Sequence, residues 1–450
     1  MMNWRKPLIY CLLYASGSKT PQHLKFFKKY EYLSYEEIRQ ITDSKLKKLL
    51  VHAYHNVLYY NKILKQTGVI DGQEVRLERF PDIPILTKSI IRQQGENLYS
   101  KDHKKRCSYK NTSGGSTGEP VTFMQDKKYS DWNIANTIYL KTFASQDIGE
   151  KEFRLWGSER DLLDKEKPAV RLRNWLYNRM ELNAFKMSKD EMVQFVNKIN
   201  RARPTWIESY VQAITEFSRF IRENNLTIAS PRGVLTSAGT LYPQMQQLIE
   251  RVFKCKVFNR YGSREVGSIA CSCEKDEGLH VSIWNNYLEI LNDNFQTVQP
   301  GGIGRIFVTN LNNYSMPLIR YQIGDFGIAA ENRECSCGRK TPLIKGVVGR
   351  HMEVFKTKNG KIIPAEFFIH FIGVVYNEGY IKKFQVVQKD YDQIVIKAVI
   401  DNLQKFNESK TKIVNSIRKV MGQNCRVDFE LVDEIQLSNS GKYLYTISEI

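Results

Sequence analysis

The sequence has no run approaching the ~20 consecutive apolar residues that a bilayer-spanning helix requires. It also has no low-complexity tract and no internal repeat, so repeat arrays and long disordered linkers are excluded. Eight cysteines in 450 residues are too few to staple a chain of this size with disulfides. The phosphate-loop ending Gly-Lys-Ser/Thr is missing from the glycine-rich stretch that most suggests one. Concentrated basic charge is missing too. Net charge is +19, but Lys and Arg are spread along the chain among Asp and Glu. Short clusters at Lys45–Lys48 and Lys101–Arg106 read as solvated helix faces, not as a nucleic-acid footprint. No nucleic-acid partner is expected. The charge leaves a weak electrostatic affinity for an anionic membrane surface.

What is present is ordinary globular material. Hydrophobic residues make up 42% and charged residues 26%, enough for a sizeable core and two or three domains. The first residues, MMNWRKPLIYCLLYASGSKT, imitate a secretory signal, with a basic start, an apolar run and small residues. The apolar run is brief and contains Tyr and Cys. The expectation is an amphipathic segment packed on the body or lying on the inner membrane face, in a cytoplasmic protein.

The first hundred residues read as helical, with one long periodic stretch from Tyr35 to a stop at Gly68. From Asn111 onward, short apolar strands at Thr122-Phe-Met, Glu152-Phe-Arg-Leu-Trp, Gly233-Val-Leu-Thr and Lys256-Val-Phe alternate with amphipathic helices, which predicts an α/β architecture with largely buried parallel strands. Beyond His280 the texture changes to strands and turns, with Ile319-Arg-Tyr-Gln among the expected antiparallel strands. The division is a large domain over 1–349 and a small α/β domain over 350–450, in which a strand, an Asn359-Gly360 turn and a helix over PAEFFIHFIG precede two strands around the helix NESKTKIVNSIRKVM.

Residues 111–120, Asn-Thr-Ser-Gly-Gly-Ser-Thr-Gly-Glu-Pro, are almost all small or hydroxyl-bearing. Backbone N–H groups and hydroxyls of such a loop can face one concavity and cradle phosphate oxygens. A flexible turn between strands would have the same composition. Further small-residue and charged motifs follow in order: Thr236-Ser-Ala-Gly-Thr240, Arg260-Tyr-Gly-Ser-Arg-Glu265, Arg320-Tyr-Gln-Ile-Gly-Asp325, Val348-Gly-Arg350 and Ser440-Gly-Lys442. Two cysteine pairs, Cys271-Ser-Cys273 and Cys335-Ser-Cys337, suggest metal. Cys273, Cys335, Cys337 and His280 would offer zinc three thiolates and an imidazole. Cys271 competes with Cys273 for that role.

Taken together and in this order, the motifs resemble those of the adenylate-forming superfamily. Within it the chain is most similar to the phenylacetate-CoA ligase family, in particular its CapK-like branch associated with capsular polysaccharide genes. HAYHNVLYYNKIL, FPDIPILTKSIIR, Gly278-Leu-His280 and Cys-x-Cys-Gly-Arg339 extend the resemblance over nearly the whole chain. It implies a large N-terminal domain with mixed sheets and a mobile C-terminal domain. It implies ATP-dependent activation of a small-molecule carboxylic acid as acyl-AMP, with transfer to an acceptor thiol or amine, such as coenzyme A or an amino sugar.

By the same resemblance, Ser113, Gly114, Gly115, Ser116, Thr117 and Gly118 would cradle the outer phosphates. Glu265 would hold Mg²⁺. Ala238, Gly239, Tyr261 and Gly262 would flank the adenine, and Asp325 would take the ribose hydroxyls. Arg350 would lie near ribose and phosphate. Lys442 would bridge the carboxylate and the α-phosphate. A structural zinc formed by the two cysteine segments is a common feature of the family.

Two positions depart from the family pattern. Glu119 stands where a lysine is usual after the loop glycine, and Met352 stands where the hinge acid is usual. The first bears on triphosphate affinity. The second leaves the hinge without its usual acid unless Glu353 substitutes, and bears on whether coenzyme A or an amine is the acceptor. Both would also suit a nucleotide-binding relative without catalysis, although Glu265, Asp325, Arg350 and Lys442 are all present.

Overall fold

The computed structural model describes residues 3–72, 74–113, 121–156, 168–184, 187–332, 334–350, 355–359, 362–363, 367–368, 372, 380–436 and 443–450. The helical start comprises Arg5–Ala15, Thr20–Lys29, Tyr35–Asn56 and Leu58–Gln66. The third opens on a reciprocal capping box between Ser34 and Glu37, which satisfies two of the first orphan donors. The single helix expected from Tyr35 to Gly68 is in fact broken at Val57. That residue is buried and extended (φ −120°, ψ 115°), and it forms an antiparallel bridge to Ser100. A tertiary pairing has overridden the helical period there. Among the described residues no helix is long and apolar enough to cross a membrane.

Two short hairpins follow, β1 (Ile70–Asp71) with β2 (Glu74–Val75), and β3 (Tyr109–Thr112) with β4 (Thr122–Gln125). Next come β5 (Glu152–Trp156), β6 (Arg179–Asn183), β7 (Trp206–Tyr210), β8 (Gly233–Ser237), β9 (Lys256–Ser263), β10 (Gly267–Ser272) and β11 (Leu279–Val281). The large domain is completed by β12 (Asn286–Leu291), β13 (Ile303–Asn310), β14 (Tyr321–Ala329) and β15 (Leu343–Arg350). Among the described residues these form an eleven-stranded sheet in the order β12-β13-β14-β15-β11-β10-β9-β8-β7-β5-β6.

The sheet changes character at β9. From β6 to β9 neighbouring strands are parallel, and from β9 to β12 they are antiparallel. The parallel half is crossed over by Lys189–Ala202, Val211–Glu223 and Pro243–Phe253, whose apolar stripes, such as Ile214, Phe217 and Ile221, bury against it. The predicted α/β alternation and the later switch to antiparallel strands are both observed. β6 and β7 were not among the expected strands. Ile319 and Arg320 were, but β14 starts at Tyr321. Arg320 has a left-handed backbone (φ 49°), and its buried guanidinium pairs with Glu289 and donates to the carbonyls of Pro81 and Ile83.

Beyond Arg350, β16 (Phe355–Lys356) pairs with β17 (Ile362–Ile363). The last sheet contains β18 (Ile381–Asp390), β19 (Gln393–Ile400), β20 (Arg426–Leu431) and β21 (Thr446–Ser448), ordered β20-β19-β18-β21 and packed on the helix Leu403–Met421. The expected helix over PAEFFIHFIG falls mostly outside the described residues. The apolar core of this sheet is continuous with Val211, Tyr242 and Met245 of the large domain.

Candidate active site

A cavity opens at the carboxyl ends of the parallel strands, where the sheet changes direction. That is where open α/β sheets commonly bind ligands. Its lining brings together the turn after β8 (Ala238, Gly239, Thr240), the outer half of β9 (Asn259 to Gly262), Asp325 of β14 and Gly349 of β15. Tyr443 to Thr446 close it from the small domain.

Local backbone chemistry explains the small residues. Ala238 sits at φ 56°, and a Cβ on Gly239 would lie 3.2 Å from that of Val211. On Gly262 a Cβ would stand 2.6 Å from the Gly267 carbonyl oxygen, across the β9–β10 hairpin. The Tyr261 hydroxyl donates to Asp325 Oδ2 at 2.7 Å. Arg350 is the register partner of Asp325 at the end of β15. The predicted nucleotide residues Ala238, Gly239, Tyr261, Gly262 and Asp325 therefore share one lining, with Arg350 on the adjoining strand.

Ser113 and Val121 mark the ends of the predicted phosphate loop. The Ser113 N–H donates to the Val121 carbonyl and the Val121 N–H donates to Ser113 Oγ, each at 2.9 Å. This reciprocal pair closes the stem of the loop. One strand further on, the Gln125 amide donates to the carbonyls of Arg264 and Glu265, at 2.9 and 3.3 Å. The hairpin is thereby tied to the turn carrying Glu265, which is buried and accepts from the Tyr321 hydroxyl at 3.3 Å. Glu265 is not part of the cavity lining itself. Gly114 to Gly118, Glu119, Met352 and Lys442 lie outside the described residues.

Arg260 links the cavity to a buried charge network that the motifs did not reveal. Its guanidinium donates to Glu208 Oε1 at 2.5 Å. Glu208, on β7, also pairs with Lys141 at 2.8 Å and Arg154 at 3.2 Å. Glu152 receives Lys141 and Arg179, at 2.6 and 2.9 Å. Burial opposes ionisation of Glu208, yet Arg154, Lys141 and Arg260 together hold its carboxyl well below the usual range. Gln125 and Glu208 gave no motif signal. Their only mark in the sequence is a polar residue inside an apolar strand, TFMQ and WIESY.

A second cluster lies where β10 and β11 meet the segment leading into β15. Ligating atoms of Cys273, His280, Cys335 and Cys337 are all within 4.8 Å of one another. Cys273 Sγ and Cys335 Sγ are 3.6 Å apart, and Cys337 Sγ is 3.3 Å from His280 Nε2. Tetrahedral zinc with Zn–S bonds of about 2.3 Å needs sulfurs roughly 3.8 Å apart, so this donor set fits the metal. His280 Nδ1 meets the Thr341 hydroxyl at 2.9 Å, which orients the ring. Burial, reinforced by Arg339, pushes the imidazole down to about 4, toward the neutral form that a metal takes. Cys271 falls outside the group. Its thiol is buried beside Arg260 and pushed up by burial to about 12.

Residues 355–449 match the CapK C-terminal domain family. The chain is 25% identical to Protein CapK of Staphylococcus aureus over 439 residues, 95% of each chain. It is 22% identical to phenylacetate-coenzyme A ligase of Thermus thermophilus over 359 residues, 75% of each. In fold it resembles 2-hydroxyisobutyryl-CoA ligase, with 16% identity over 94% of this chain and 92% of that one. The TM-score is 0.74 against that ligase's postadenylation state with 2-HIB-AMP and 0.59 against its thioesterification state. The mixed parallel–antiparallel sheet with its small terminal domain has the fold of the adenylate-forming CoA ligases, and the chain is similar to the CapK protein over nearly its whole length, with a CapK C-terminal domain match at its end.

Proposed function

We propose that this chain is an AMP-forming acid ligase. It activates a carboxylic acid with ATP, releases pyrophosphate and passes the acyl group to an acceptor used in surface polysaccharide assembly. The observation that carries this reading is the shared lining. Ala238-Gly239, Tyr261, Gly262 and Asp325 come from distant segments, and Tyr443, next in the chain to Lys442, joins them.

In the first step a carboxylate oxygen attacks the α-phosphorus, and the bond to pyrophosphate breaks with its electron pair on the leaving group. Asp325 accepts from the ribose hydroxyls, a charge-assisted contact that fixes the nucleotide. Tyr261 and the Ala238-Gly239 turn flank the base. The loop from Ser113 to Gly118 cradles the outer phosphates, while Arg350 and Lys442 offset charge at the α-phosphate. Mg²⁺ held by Glu265 would screen the phosphate oxygens. Zinc held by Cys273, His280, Cys335 and Cys337 would be structural, joining the β10–β11 turn to the entry of β15.

In the second step the acceptor's lone pair attacks the acyl carbonyl and AMP departs. Met352 at the hinge position favours an amine, such as that of an amino sugar, over the thiol of coenzyme A. The motif resemblance to the CapK-like branch motivates the polysaccharide setting, and the phenylacetate-coenzyme A ligase relative supports the thiol alternative.

The test is pyrophosphate–ATP exchange across a panel of carboxylic acids. Exchange with one acid class is expected, and Lys442→Ala should abolish it. Nucleotide binding without exchange for any acid would leave a non-catalytic relative. Exchange that persists in Lys442→Ala would remove that lysine from the mechanism. Offering coenzyme A or an amino sugar to preformed acyl-AMP identifies the acceptor.

A further inference from the structure

The helix Arg5–Ala15 is apolar on its outward side as well as its inward one. Inward, Ile9 is buried and Tyr10 packs on the core, Lys6 pairs with Asp147 at 2.6 Å, and the neighbouring Asn3 amide donates to the Ile148 carbonyl at 2.8 Å. Ile9 is its one buried residue among those described. The apolar residues Trp4, Leu8 and Leu12, spaced four apart, are exposed in a single stripe.

The stripe continues onto the helix Pro168–Leu176, which has no buried residue. Trp4 and Trp175 stand with ring centroids 6.2 Å apart. Arg5 bridges them, its guanidinium 4.4 Å from one ring and 5.8 Å from the other. Among the described residues nineteen large hydrophobic side chains are exposed, and six of them lie on or beside these two helices. Trp4 (48% exposed) and Trp175 (55%) are the two tryptophans in that group, and Leu172 is 64% exposed. A tryptophan in open water is uncommon, because its ring loses the burial that its area would otherwise gain.

Charge indicates what covers this face. The two helices carry Arg5, Lys6, Arg171 and Arg173 and no carboxylate. Arg171 and Arg173 are exposed on the same short helix as Leu172 and Trp175. A second copy of this chain would bring the same cations against these. An anionic lipid surface matches both properties at once, since tryptophan rings settle at headgroup depth and arginines pair with phosphate.

We propose that Trp4, Leu8, Leu12, Leu172 and Trp175, with Arg171 and Arg173, form a docking face for an anionic membrane surface. The chain lies on the bilayer and does not cross it. Only the outward stripe enters the headgroup layer, and the inner side, with buried Ile9 and the Lys6–Asp147 pair, keeps the helix on the protein. This inference stands on the surface alone and does not depend on the chemistry of the cavity.

The experiment is co-sedimentation of the full chain with phosphatidylcholine vesicles, with and without phosphatidylglycerol, at low and physiological salt. The wild type should bind the phosphatidylglycerol vesicles selectively, with a blue shift of tryptophan emission. Arg171→Gln/Arg173→Gln should weaken binding about thirtyfold, the effect of two cations near an anionic leaflet. Trp4→Ala/Trp175→Ala should lose both the binding and the blue shift. The side chains of Leu172 and Arg173 pack on little, so Leu172→Ser and the arginine variant test the face even if the tryptophan variant unfolds. Equal binding to both vesicle types would overturn the proposal. So would binding indifferent to all these variants, or self-association in solution that the tryptophan variant abolishes.

Discussion

Replacing Glu208 by Gln tests the electrostatic account of the site's foundation. The substitution preserves shape and one acceptor oxygen but removes the charge that faces Lys141, Arg154 and Arg260. These cations, with Arg179, are buried to different degrees, and only Glu152 and Glu181 would remain among the anions. Breaking a buried ion pair on one side costs about 3–5 kcal/mol, because the remaining charge is left uncompensated. With an unfolding entropy of ~2.1 cal/mol/K per residue spread over the large domain, that cost is a fall in Tm of roughly 5 °C. The pH dependence gives the sharper signature. The folded carboxyl of Glu208 is held below its unfolded value. Its stabilisation is therefore complete above the ordinary carboxylate range and is lost as pH falls through the folded pKa. The gap between wild type and Glu208→Gln, measured by thermal unfolding, should be full at pH 6 to 7. Below roughly pH 4.3 it should close by about 1.4 kcal/mol per pH unit. A variant within a degree of wild type at neutral pH would refute the reasoning. A gap that stays constant on acidification would do so too, since a packing defect has no such slope.

Elemental analysis of the purified protein should find stoichiometric zinc. Cys335→Ser should lose it with a clear drop in Tm, and Cys271→Ala should keep it; the reverse pattern would reassign the ligands. Gly262→Ala would place a methyl 2.6 Å from one backbone atom and 3.0 Å from another. The β9–β10 hairpin would have to part, at about 1–3 kcal/mol. Calorimetric ATP titration should show affinity falling at least about tenfold, the equivalent of ~1.4 kcal/mol. Unchanged affinity would mean that this hairpin does not shape the nucleotide site.

Much of the cavity lining was legible because its residues sit in short local motifs with a mechanical reason. Gly239 and Gly262 are small because another backbone or side chain stands where a Cβ would be, and the sequence records that directly. The choice between Cys271 and Cys273 was not legible. Both are buried, and only the turn after β10, in which the Asp276 N–H donates to the Cys273 carbonyl, sends one of them toward Cys335. The break at Val57 was hidden for a related reason. Its cause is a bridge to Ser100, over forty residues away, while the local period continues unbroken. Glu208 and Gln125 likewise act through partners that the chain brings near only after folding. The outward stripe of the first helix was read as amphipathic, but its orientation depends on Asp147 and the carbonyl of Ile148, which no local pattern reveals.

The continuous core shared by Val211, Tyr242 and Met245 with Phe355, Phe368 and Phe384 has a consequence for turnover. Under the proposed two-step reaction, a terminal domain that swings between two working poses would first have to peel this oily seam open and wet it. The barrier to that motion is then set more by water than by charge. It should carry a marked heat-capacity change, respond weakly to salt and fall in the presence of mild chaotropes. Cooling would soften the seam as it slows the chemistry. The temperature profile of the transfer half-reaction should therefore curve where that of adenylation, run within one pose, stays straight.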